Sequence, residues 1–321
     1  MLVVCGEAVL DLISGGSPVG YQARPGGSPV NVAVGAARLG LPTSLVARFG
    51  TGRFGQLLRS HAEAAGVNLS LSVAADEPAT LAVVGLDASG TATYDFYVDG
   101  TAECGWQRSE LPDPLPDRAQ ALHVGSISSW LSPAAGLISE LVVREYRRGK
   151  VLISFDPNLR PVLIEDPGGA RACVEHVMRV AQLIKVSIED LSWLYPQHDP
   201  DASARRWAQA GPALVVLTDG ARGARAYRPG QPARTTSAPD IRVIDTVGAG
   251  DAFTAGLLAA LADRNLLHRH GLDDLDNGDL DAVLSSAALV AALSCTRAGA
   301  DSPTREERDA AAITGSAAPR G

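Results

Sequence analysis

Short, almost entirely apolar segments alternate with helical patterns along this chain of 321 residues. Segments that are apolar on both faces are typical of strands in a parallel sheet, because helices cover such a sheet on each side. The sequence therefore predicts an α/β fold with a mostly parallel central sheet and helices on both faces. The predicted strands are residues 2–6, 43–49, 120–125, 150–156, 181–187 and 213–220, and the predicted helices are residues 28–40, 54–66, 132–149 and 202–211.

One region interrupts this alternation. Residues 79–98, ATLAVVGLDASGTATYDFYV, predict two strands joined by the polar turn DASG, with no helix between them. A hairpin cannot enter a parallel sheet without a crossover, so we expect it to join residues 7–24 in a small β-sheet lid beside the main domain. Residues 304–321 are polar and small, and we expect a partly disordered tail after a domain of residues 1–303.

The composition excludes several classes of protein. Hydrophobic residues make up 46% and charged residues 20%, which indicates a folded chain, and a net charge of −8 argues against nucleic acid as a partner. The four cysteines are scattered without metal-ligand spacing, which favours a reducing cytoplasm over a disulfide framework. The first residues predict a strand rather than a signal peptide, and no run of 18 apolar residues predicts a membrane span.

The stretch IDTVGAGDAFTAGLL, residues 244–258, places a glycine-rich turn directly before an apolar helix. Gly248 and Gly250 allow main-chain N–H groups to approach a ligand, and a helix N-terminus favours an anion such as phosphate. Asp251 at the start of this helix has two interpretations: it caps the helix, or it accepts a proton from an attacking hydroxyl. The spacing of the residues leaves both open.

Other nucleotide motifs are absent from the sequence. The stretch VGAGD lacks the GKS or GKT of a P-loop, and no GxGxxG follows the first predicted strand. A nicotinamide-dependent dehydrogenase is therefore not expected.

The stretch DTVGAGDAFTAG and the distant GGSPVNVAVGAARLG (residues 26–40) resemble the two signatures of the ribokinase (pfkB) family of carbohydrate kinases. The resemblance covers residues 1–303 and implies a ribokinase-like fold with a lid. It also implies that a sugar hydroxyl attacks the γ-phosphate of ATP, with Asp251 as the general base. Main-chain N–H groups of Gly248, Ala249 and Gly250 would then form the anion hole.

The resemblance also implies residues that bind the sugar. An aspartate after the first strand, a glycine pair and an asparagine at the start of a helix match Asp11, Gly26, Gly27 and Asn31. Carboxylate and amide groups suit adjacent sugar hydroxyls. A solvent-facing Asp11 and a helix-start hydrogen bond from Asn31 are the structural alternatives.

The stretch SFDPNLRP, residues 154–161, resembles a segment of fructokinases and 2-keto-3-deoxygluconate kinases. It makes Asp156, Asn158 and Arg160 further candidates for substrate binding, with Arg160 facing a carboxylate or a phosphate. In the lid, Tyr94 and Phe96 alternate on one face, and they either close over the sugar or pack the lid on the body.

The resemblance assigns nucleotide and metal sites to three further segments. KVSIEDLSWLYP aligns with a family motif that organises water around Mg²⁺, although Ser187 and Asp190 replace its asparagine and glutamate, and Glu189 is the alternative to Asp190. In LTDGARGA, residues 217–224, Gly220 and Gly223 would allow ATP to approach the backbone closely. The segment from Asp245 to Val247, with residues 294–303, leaves a K⁺ requirement open. The implied nucleotide-binding residues are Lys185, Ser187, Thr218, Gly220, Gly223, Gly248 and Gly250.

The sequence thus predicts a cytoplasmic, ATP- and Mg²⁺-dependent kinase of a small sugar, with fructose favoured by DPNLR and KVS together. A 2-keto-3-deoxygluconate kinase or another kinase of the family is the nearest alternative. A catalytically silent sugar-binding protein is the alternative from another class, and the presence of Asp251 disfavours it. A homodimer formed through the lid is left open.

Overall fold

Strands and helices alternate along the chain in the computed structural model, which describes residues 1–14, 20–86 and 92–314. The strands are β1 (Leu2–Cys5), β2 (Val9–Ser14), β3 (Tyr21–Gly26), β4 (Thr43–Val46), β5 (Arg48–Gly50), β6 (Val73–Ala75), β7 (Thr80–Leu86), β8 (Ala92–Tyr97), β9 (Ala121–Gly125), β10 (Leu152–Asp156), β11 (Leu183–Ser187), β12 (Leu214–Thr218), β13 (Ala224–Tyr227) and β14 (Arg234–Thr236). The helices are α1 (Ser28–Arg38), α2 (Arg53–Ala64), α3 (Ile127–Trp130), α4 (Ala134–Arg148), α5 (Pro167–Met178), α6 (Ile188–Leu194), α7 (Pro200–Gln209), α8 (Ala249–Asp263), α9 (Asn277–Cys295) and α10 (Arg305–Thr314).

In the described residues, eight strands form the central sheet in the order β14-β13-β12-β11-β10-β9-β1-β4. The six strands from β12 to β4 run parallel, and β13 and β14 are antiparallel additions at one edge. These six are the strands that the apolar segments predict, and the predicted fold class is confirmed.

Side chains on alternate positions of each strand enter two separate helix layers. On β1, Leu2 and Val4 pack in the core that contains α1, α2, α8 and α9, whereas Val3 and Cys5 pack in the core that contains α3 to α7. Both faces are therefore buried, which explains why the strands read as continuous apolar runs.

Helix α9 is long and apolar enough to cross a membrane by length and composition alone. Half of its apolar window is buried within the protein, and the helix packs extensively along α8. Both properties are those of a core helix in a globular domain.

A second sheet, the lid, has the strand order β3-β2-β7-β8 and contains segments from both predicted lid regions. Cross-strand register places Arg24, Asp11, Ala82 and Phe96 in one row on one face. The DASG turn falls outside the described residues, as does the side chain of Tyr94. The boundary between lid and main domain remains a prediction.

The segment expected to be a polar tail instead begins with a helix. Helix α10 packs against α9, and Ala311 is buried between them. The Arg305 guanidinium donates to the carbonyl oxygen of Leu39 at 2.8 Å and to the carboxylate of Asp263 at 2.7 Å. These contacts attach residues 305–314 to the main domain; residues 315–321 lie outside the described part of the chain.

Close packing between α8 and α9 depends on Gly256. A Cβ atom at Gly256 would lie 2.9 Å from Cβ of Val290 and 3.0 Å from Cα of Ala287. We expect Gly256→Val to lower the free energy of unfolding by about 1–3 kcal/mol through overpacking. Gly136, on the exposed face of α4, has no atom within 4 Å of its Cβ position, so Gly136→Val is the control. Thermal unfolding measures both variants, and equal melting temperatures would contradict the packing argument.

Candidate active site

A cleft of about 540 Å³ lies between the lid and the carboxyl ends of the central strands. Val9, Asp11, Ala82 and Phe96 line it from the lid, and the first residues of α1 and α8 line it from the body. Loops that follow β9 and β10 complete it. Ligands of open α/β sheets bind at this end of the strands.

Asp251 lies in the first turn of α8 and is only 6% exposed. Its Oδ1 accepts hydrogen bonds from Ser28 Oγ at 2.6 Å and from Asn158 Nδ2 at 3.4 Å, and its Oδ2 accepts one from Asn31 Nδ2 at 2.8 Å. Gly248, and not Asp251, is the N-cap residue of α8, so the capping interpretation is wrong. A carboxylate has about four acceptor sites. Three are occupied in the described structure, which leaves one for a ligand hydroxyl.

The turn before Asp251 has the geometry of an anion site. Gly248 adopts φ 73°, and a Cβ there would lie 2.5 Å from Cβ of Ala300, so only glycine fits. Gly248, Ala249 and Gly250 all line the cleft. The first N–H groups of a helix have no intrahelical partner, and the helix dipole adds positive potential, so this turn suits phosphate.

The first turn of α1 faces the first turn of α8. Its N-cap residue, Gly27, has φ 94° and lines the cleft, as do Ser28 and Asn31. The Asn31 side chain donates to Asp251 across the floor of the cleft, and not to the backbone at the start of its own helix, which was the structural alternative. Ser28 was not predicted, since a serine after a glycine pair carries no signal in the sequence.

Asp11 points from the lid into the cleft, beside Gly26. A Cβ on Gly26 would lie 2.6 Å from Asp11 Oδ2, so this glycine makes room for the carboxylate and does not itself line the cleft. Burial raises the pKa of Asp11 to about 6; Arg160 opposes the shift and Asp251 adds to it. Above about pH 6 the Asp11 carboxylate is ionised and faces the cleft as a hydrogen-bond acceptor.

Asn158 and Arg160 both line the cleft after β10. Asn158 has the unusual φ of 38° and donates to Asp251. The Arg160 guanidinium donates to Asn158 Oδ1 at 2.7 Å and to the Leu159 carbonyl oxygen at 2.9 Å. The hydrogen bonds of Arg160 thus stabilise its own loop, and its positive charge acts on the carboxyl group of Asp11.

Asp156 does not line the cleft, although the sequence makes it a candidate substrate ligand. It is fully buried, and its Oδ2 accepts a hydrogen bond from Lys185 Nζ at 3.0 Å. Burial raises the pKa of Asp156 to about 6, and Lys185 opposes the shift. Asp156 therefore lies beneath the cleft and is bonded to Lys185, and its contact with the substrate stays a prediction.

Asp190 is part of a capping box at the start of α6. Its Oδ2 accepts from the N–H of Ser187 at 3.2 Å and from Ser187 Oγ at 2.8 Å, and its Oδ1 accepts from the N–H of Leu159 at 2.8 Å. Both oxygens are therefore engaged, whereas the neighbouring Glu189 is exposed. Neither carboxylate lines the cleft, so the assignment of Asp190 or Glu189 to Mg²⁺ stays a prediction. Among the described residues no three His, Cys, Asp or Glu side chains form a metal cluster.

The candidate nucleotide segment follows β12, next to the end of β11. Thr218 pairs with Ser187 in the sheet, and neither lines the cleft. Gly220 has φ 50° and no atom within 4 Å of its Cβ position, so space is available there. A Cβ on Gly223 would lie 2.0 Å from the Thr236 carbonyl oxygen, so Gly223 serves a backbone contact inside the protein.

Asp245 fastens the turn before α8 to the segment that follows α9. Its Oδ1 accepts from the N–H of Val247 at 3.0 Å, and its Oδ2 accepts from the N–H of Gly299 at 2.7 Å. Val247 lines the cleft. Because both carboxylate oxygens are engaged, a cation in this region would depend on carbonyl oxygens.

Glu7 is a cleft residue that the sequence analysis did not identify. It is 1% exposed, and its Oε2 accepts from Ser128 Oγ at 2.6 Å and from the N–H of Ser128 at 3.2 Å. Burial raises the pKa of Glu7. The sequence did contain one sign of this residue, an acidic side chain directly after an apolar strand. A carboxylate that is buried at such a position needs hydrogen-bond partners of its own.

Comparison with known proteins agrees with this geometry. The family described as pfkB family carbohydrate kinase matches residues 2–307. The chain belongs to the pfkB family of carbohydrate kinases. The resemblance of the two glycine-rich signatures is thereby confirmed, and the central sheet with its lid is that family's fold.

Fructokinases are prominent among the pfkB relatives. The fructokinase of Rhizobium leguminosarum bv. trifolii is 37% identical over 279 residues, which cover 86% of this chain and 84% of that protein. The structure of the Xylella fastidiosa fructokinase with bound ATP has a TM-score of 0.88 at 27% identity, with 98% of both chains covered. A double mutant of the Vibrio cholerae O395 fructokinase, solved with fructose, ADP and potassium ion, has a TM-score of 0.82 at 29% identity over 93% of both chains.

The pKa of Asp11 predicts how sugar binding depends on pH. Below about pH 6 the carboxyl gains a proton and accepts fewer hydrogen bonds, so the KM for the sugar should rise as pH falls through this value. Asp11→Asn should raise KM at neutral pH and remove the inflection. Steady-state kinetics from about pH 7 to about pH 5 would measure both.

Separate fits of kcat and KM distinguish Asp11 from Asp156, whose pKa is also about 6. Asp156 lies outside the cleft, so its protonation should act on kcat. A wild-type KM that stays constant over this pH range would contradict the role of Asp11.

Proposed function

We propose that the protein is an ATP-dependent fructokinase. The observation that carries the proposal is the position of Asp251, whose carboxylate has one remaining acceptor site at the floor of a cleft between the lid and the N-terminus of α8. Family membership and 37% identity to a fructokinase over most of the chain support fructose as the sugar.

The transfer step uses groups on both helices. A sugar hydroxyl oxygen attacks the γ-phosphorus of ATP, and Asp251 accepts the hydroxyl proton as the new P–O bond forms. The bond between the γ-phosphorus and the bridging oxygen breaks, and ADP leaves. The N–H groups of the Gly248–Gly250 turn stabilise the charge on the transferring group. Ser28 and Asn31 hold the carboxylate in one orientation.

The lid supplies the sugar end of the site. Asp11 faces the cleft as an acceptor, and Ala82 and Phe96 form the apolar part of the same wall. A sugar bound against this row would displace water from the phosphoryl acceptor position, which limits ATP hydrolysis. These features of the lid favour a polyol as the substrate. The row of Arg24, Asp11, Ala82 and Phe96 would limit the size of that substrate.

A 2-keto-3-deoxygluconate kinase is the second candidate. Arg160 faces the cleft and is the cation that a substrate carboxylate would meet. Its guanidinium already bonds to Asn158 and to carbonyl oxygens of its own loop, which favours an uncharged sugar.

A panel of sugars with product analysis tests these alternatives. We expect turnover with fructose and ATP, and little with 2-keto-3-deoxygluconate, ribose or nucleosides. The reverse preference between fructose and the keto acid would refute the fructokinase assignment.

Asp251→Asn is the control for contaminating kinases in the same assay. General-base catalysis contributes about 10²- to 10⁴-fold, so turnover should fall by at least this factor while sugar and ATP still bind. Calorimetric titration checks the binding. A variant that turns over at the wild-type rate would remove Asp251 from the mechanism.

In the proposed function, Mg²⁺ binds together with ATP. Mg²⁺ neutralises phosphate charge, and Glu189 is the exposed carboxylate that fits it. The Vibrio cholerae relative was solved with a potassium ion, which supports a monovalent cation as a further cofactor. We also propose the cytoplasm as the location, since ATP and reduced thiols belong to that compartment.

We propose a homodimer formed through the outer face of the lid. Tyr21 and Tyr97 lie on the edge strands β3 and β8, on the face opposite Asp11, and are 52% and 60% exposed. Exposed aromatic residues are enriched at interfaces between proteins. Sedimentation velocity should show a dimer that Tyr97→Lys dissociates and that Ile313→Lys, at an exposed position of α10, leaves intact. A monomeric wild-type protein would refute the proposal.

A further inference from the structure

Four crossings of the chain join the lid to the main domain in the described residues. They are residues 6–8, 27, 76–79 and 98–101. A movement of the lid relative to the main domain has to occur in these crossings. Glutamates lie in the first and third of them and two residues after the fourth: Glu7, Glu77 and Glu103.

Arg48 is the cation beside the last two crossings. Strand β5, which begins with Arg48, packs against the 3-10 turn Ala102–Gly105. The Arg48 side chain is 4% exposed, and its Nη2 donates to Glu77 Oε2 at 2.9 Å. Gly105 leaves room for this pair, because a Cβ there would lie 2.5 Å from Arg48 Nη1 and 2.2 Å from Glu77 Oε1.

Arg48 has donors that the pair with Glu77 does not use. A guanidinium has five N–H donors. Within the described part of the chain, Nε and Nη1 of Arg48 are buried without a hydrogen-bond partner, although Glu110 Oε2 lies 3.4 Å from Nη1. Burying an unsatisfied donor is costly, so the guanidinium is suited to a second acceptor.

Glu103, in the 3-10 turn that packs against β5, has an unused acceptor. Glu103 is 3% exposed, and its Oε1 accepts a hydrogen bond from Trp106 Nε1 at 3.0 Å. Its Oε2 is buried and has no hydrogen-bond partner among the residues that the structure describes. An unused acceptor and the unused donors of Arg48 thus lie on two elements that are in contact.

The proton on Glu103 is sensitive to the groups around it. Burial raises the pKa of Glu103 to about 8, the cleft residue Glu7 adds to the shift, and Arg48 opposes it. Glu103 is therefore neutral at pH 7 in the observed arrangement. Cys5 and Cys104 also face it, and burial raises the pKa of both thiols, so they stay neutral as well.

We propose that Arg48 is a positioning residue of the lid, which it holds in one position by the bond to Glu77 and in a second position by a bond to Glu103. One guanidinium then moves between two crossings, which gives the lid two discrete positions. When Arg48 reaches Glu103 it stabilises the carboxylate, and the proton of Glu103 passes to solvent. The proposal rests on the proposed kinase function, which places the sugar beneath this lid.

Matched neutral variants of the two acceptors test the exchange. Glu77→Gln leaves Arg48 with Glu103, and Glu103→Gln leaves it with Glu77, so the two variants should populate opposite lid positions. The KM for the sugar should therefore change in opposite directions, each by about 5-fold or more. Glu63→Gln, in the exposed ion pair with Arg59, should leave KM unchanged. Changes in the same direction, or no change, would overturn the proposal.

The wild-type protein provides a test that does not depend on the folding of Glu77→Gln. As pH rises through about 8, Glu103 loses its proton and attracts Arg48, so KM should move opposite to the change that Glu103→Gln produces. Glu103→Gln should also remove this inflection, which is separate from that of Asp11 at about pH 6. A wild-type KM that is constant from about pH 7 to about pH 9 would contradict the exchange.

The indole group of Trp106 separates this proposal from the choice of sugar, because it is bonded to Glu103 and its signal is measured without sugar. Protein labelled with ¹⁵N-tryptophan has four indole signals, and Trp106→Phe assigns that of Trp106. In the wild type this signal should titrate at about pH 8. In Glu77→Gln the inflection should fall by about one pH unit or more, because Arg48 then stabilises the carboxylate.

Glu63→Gln is again the control and should leave the Trp106 inflection in place. An inflection that Glu77→Gln also leaves in place would overturn the proposal. Failure of fructose as a substrate would refute the fructokinase assignment and leave the Trp106 result intact.

Discussion

The hydrogen bonds of Asp251 join two helix starts that lie far apart in the sequence. Ser28 and Asn31 on α1 donate to its carboxylate from the opposite side of the cleft. A buried carboxylate without such partners would incur a large desolvation cost, so these donors are needed to stabilise Asp251 in its buried position. The cleft, the anion turn and the lid are all positioned relative to this contact.

A layer of buried polar groups lies directly behind the cleft. Lys185 and Asp156 form one unit, Asp190 ties α6 to the loop after β10, and Glu7 binds the turn after β9 through Ser128. Each unit is at the carboxyl end of a parallel strand, where helix N-termini and loops supply hydrogen-bond donors. Breaking one partner of such a unit is costly, whereas the apolar cores on either side of the sheet tolerate conservative exchange.

The sequence predicted the sheet well because its strands are buried on both faces and therefore form continuous apolar runs. It located Asp251, Asn31 and the glycine turn through two motifs whose spacing is specific. It did not indicate that Asp156 is buried beneath the cleft, because the direction of a side chain at a strand end depends on alternation that the motif does not show. It missed Ser28 and Glu7, because their contacts form only when separate strand ends come together in the fold. It also missed α10, because the sequence of this helix is mostly polar and the helix is held in place by contacts of Arg305 with Leu39 and Asp263.

The single row of Arg24, Asp11, Ala82 and Phe96 across the lid has a consequence for how the site can diversify. All four side chains belong to the lid sheet, whereas Gly248, Ala249 and Gly250 belong to the start of α8. Exchanges at Ala82 or Phe96 would reshape the space for the acceptor molecule and leave the phosphate end unaltered. The lid wall of the cleft and the turn that suits phosphate thus lie on separate elements, and Arg24 joins the lid to the segment after α9 by donating to the carbonyl oxygen of Ala298.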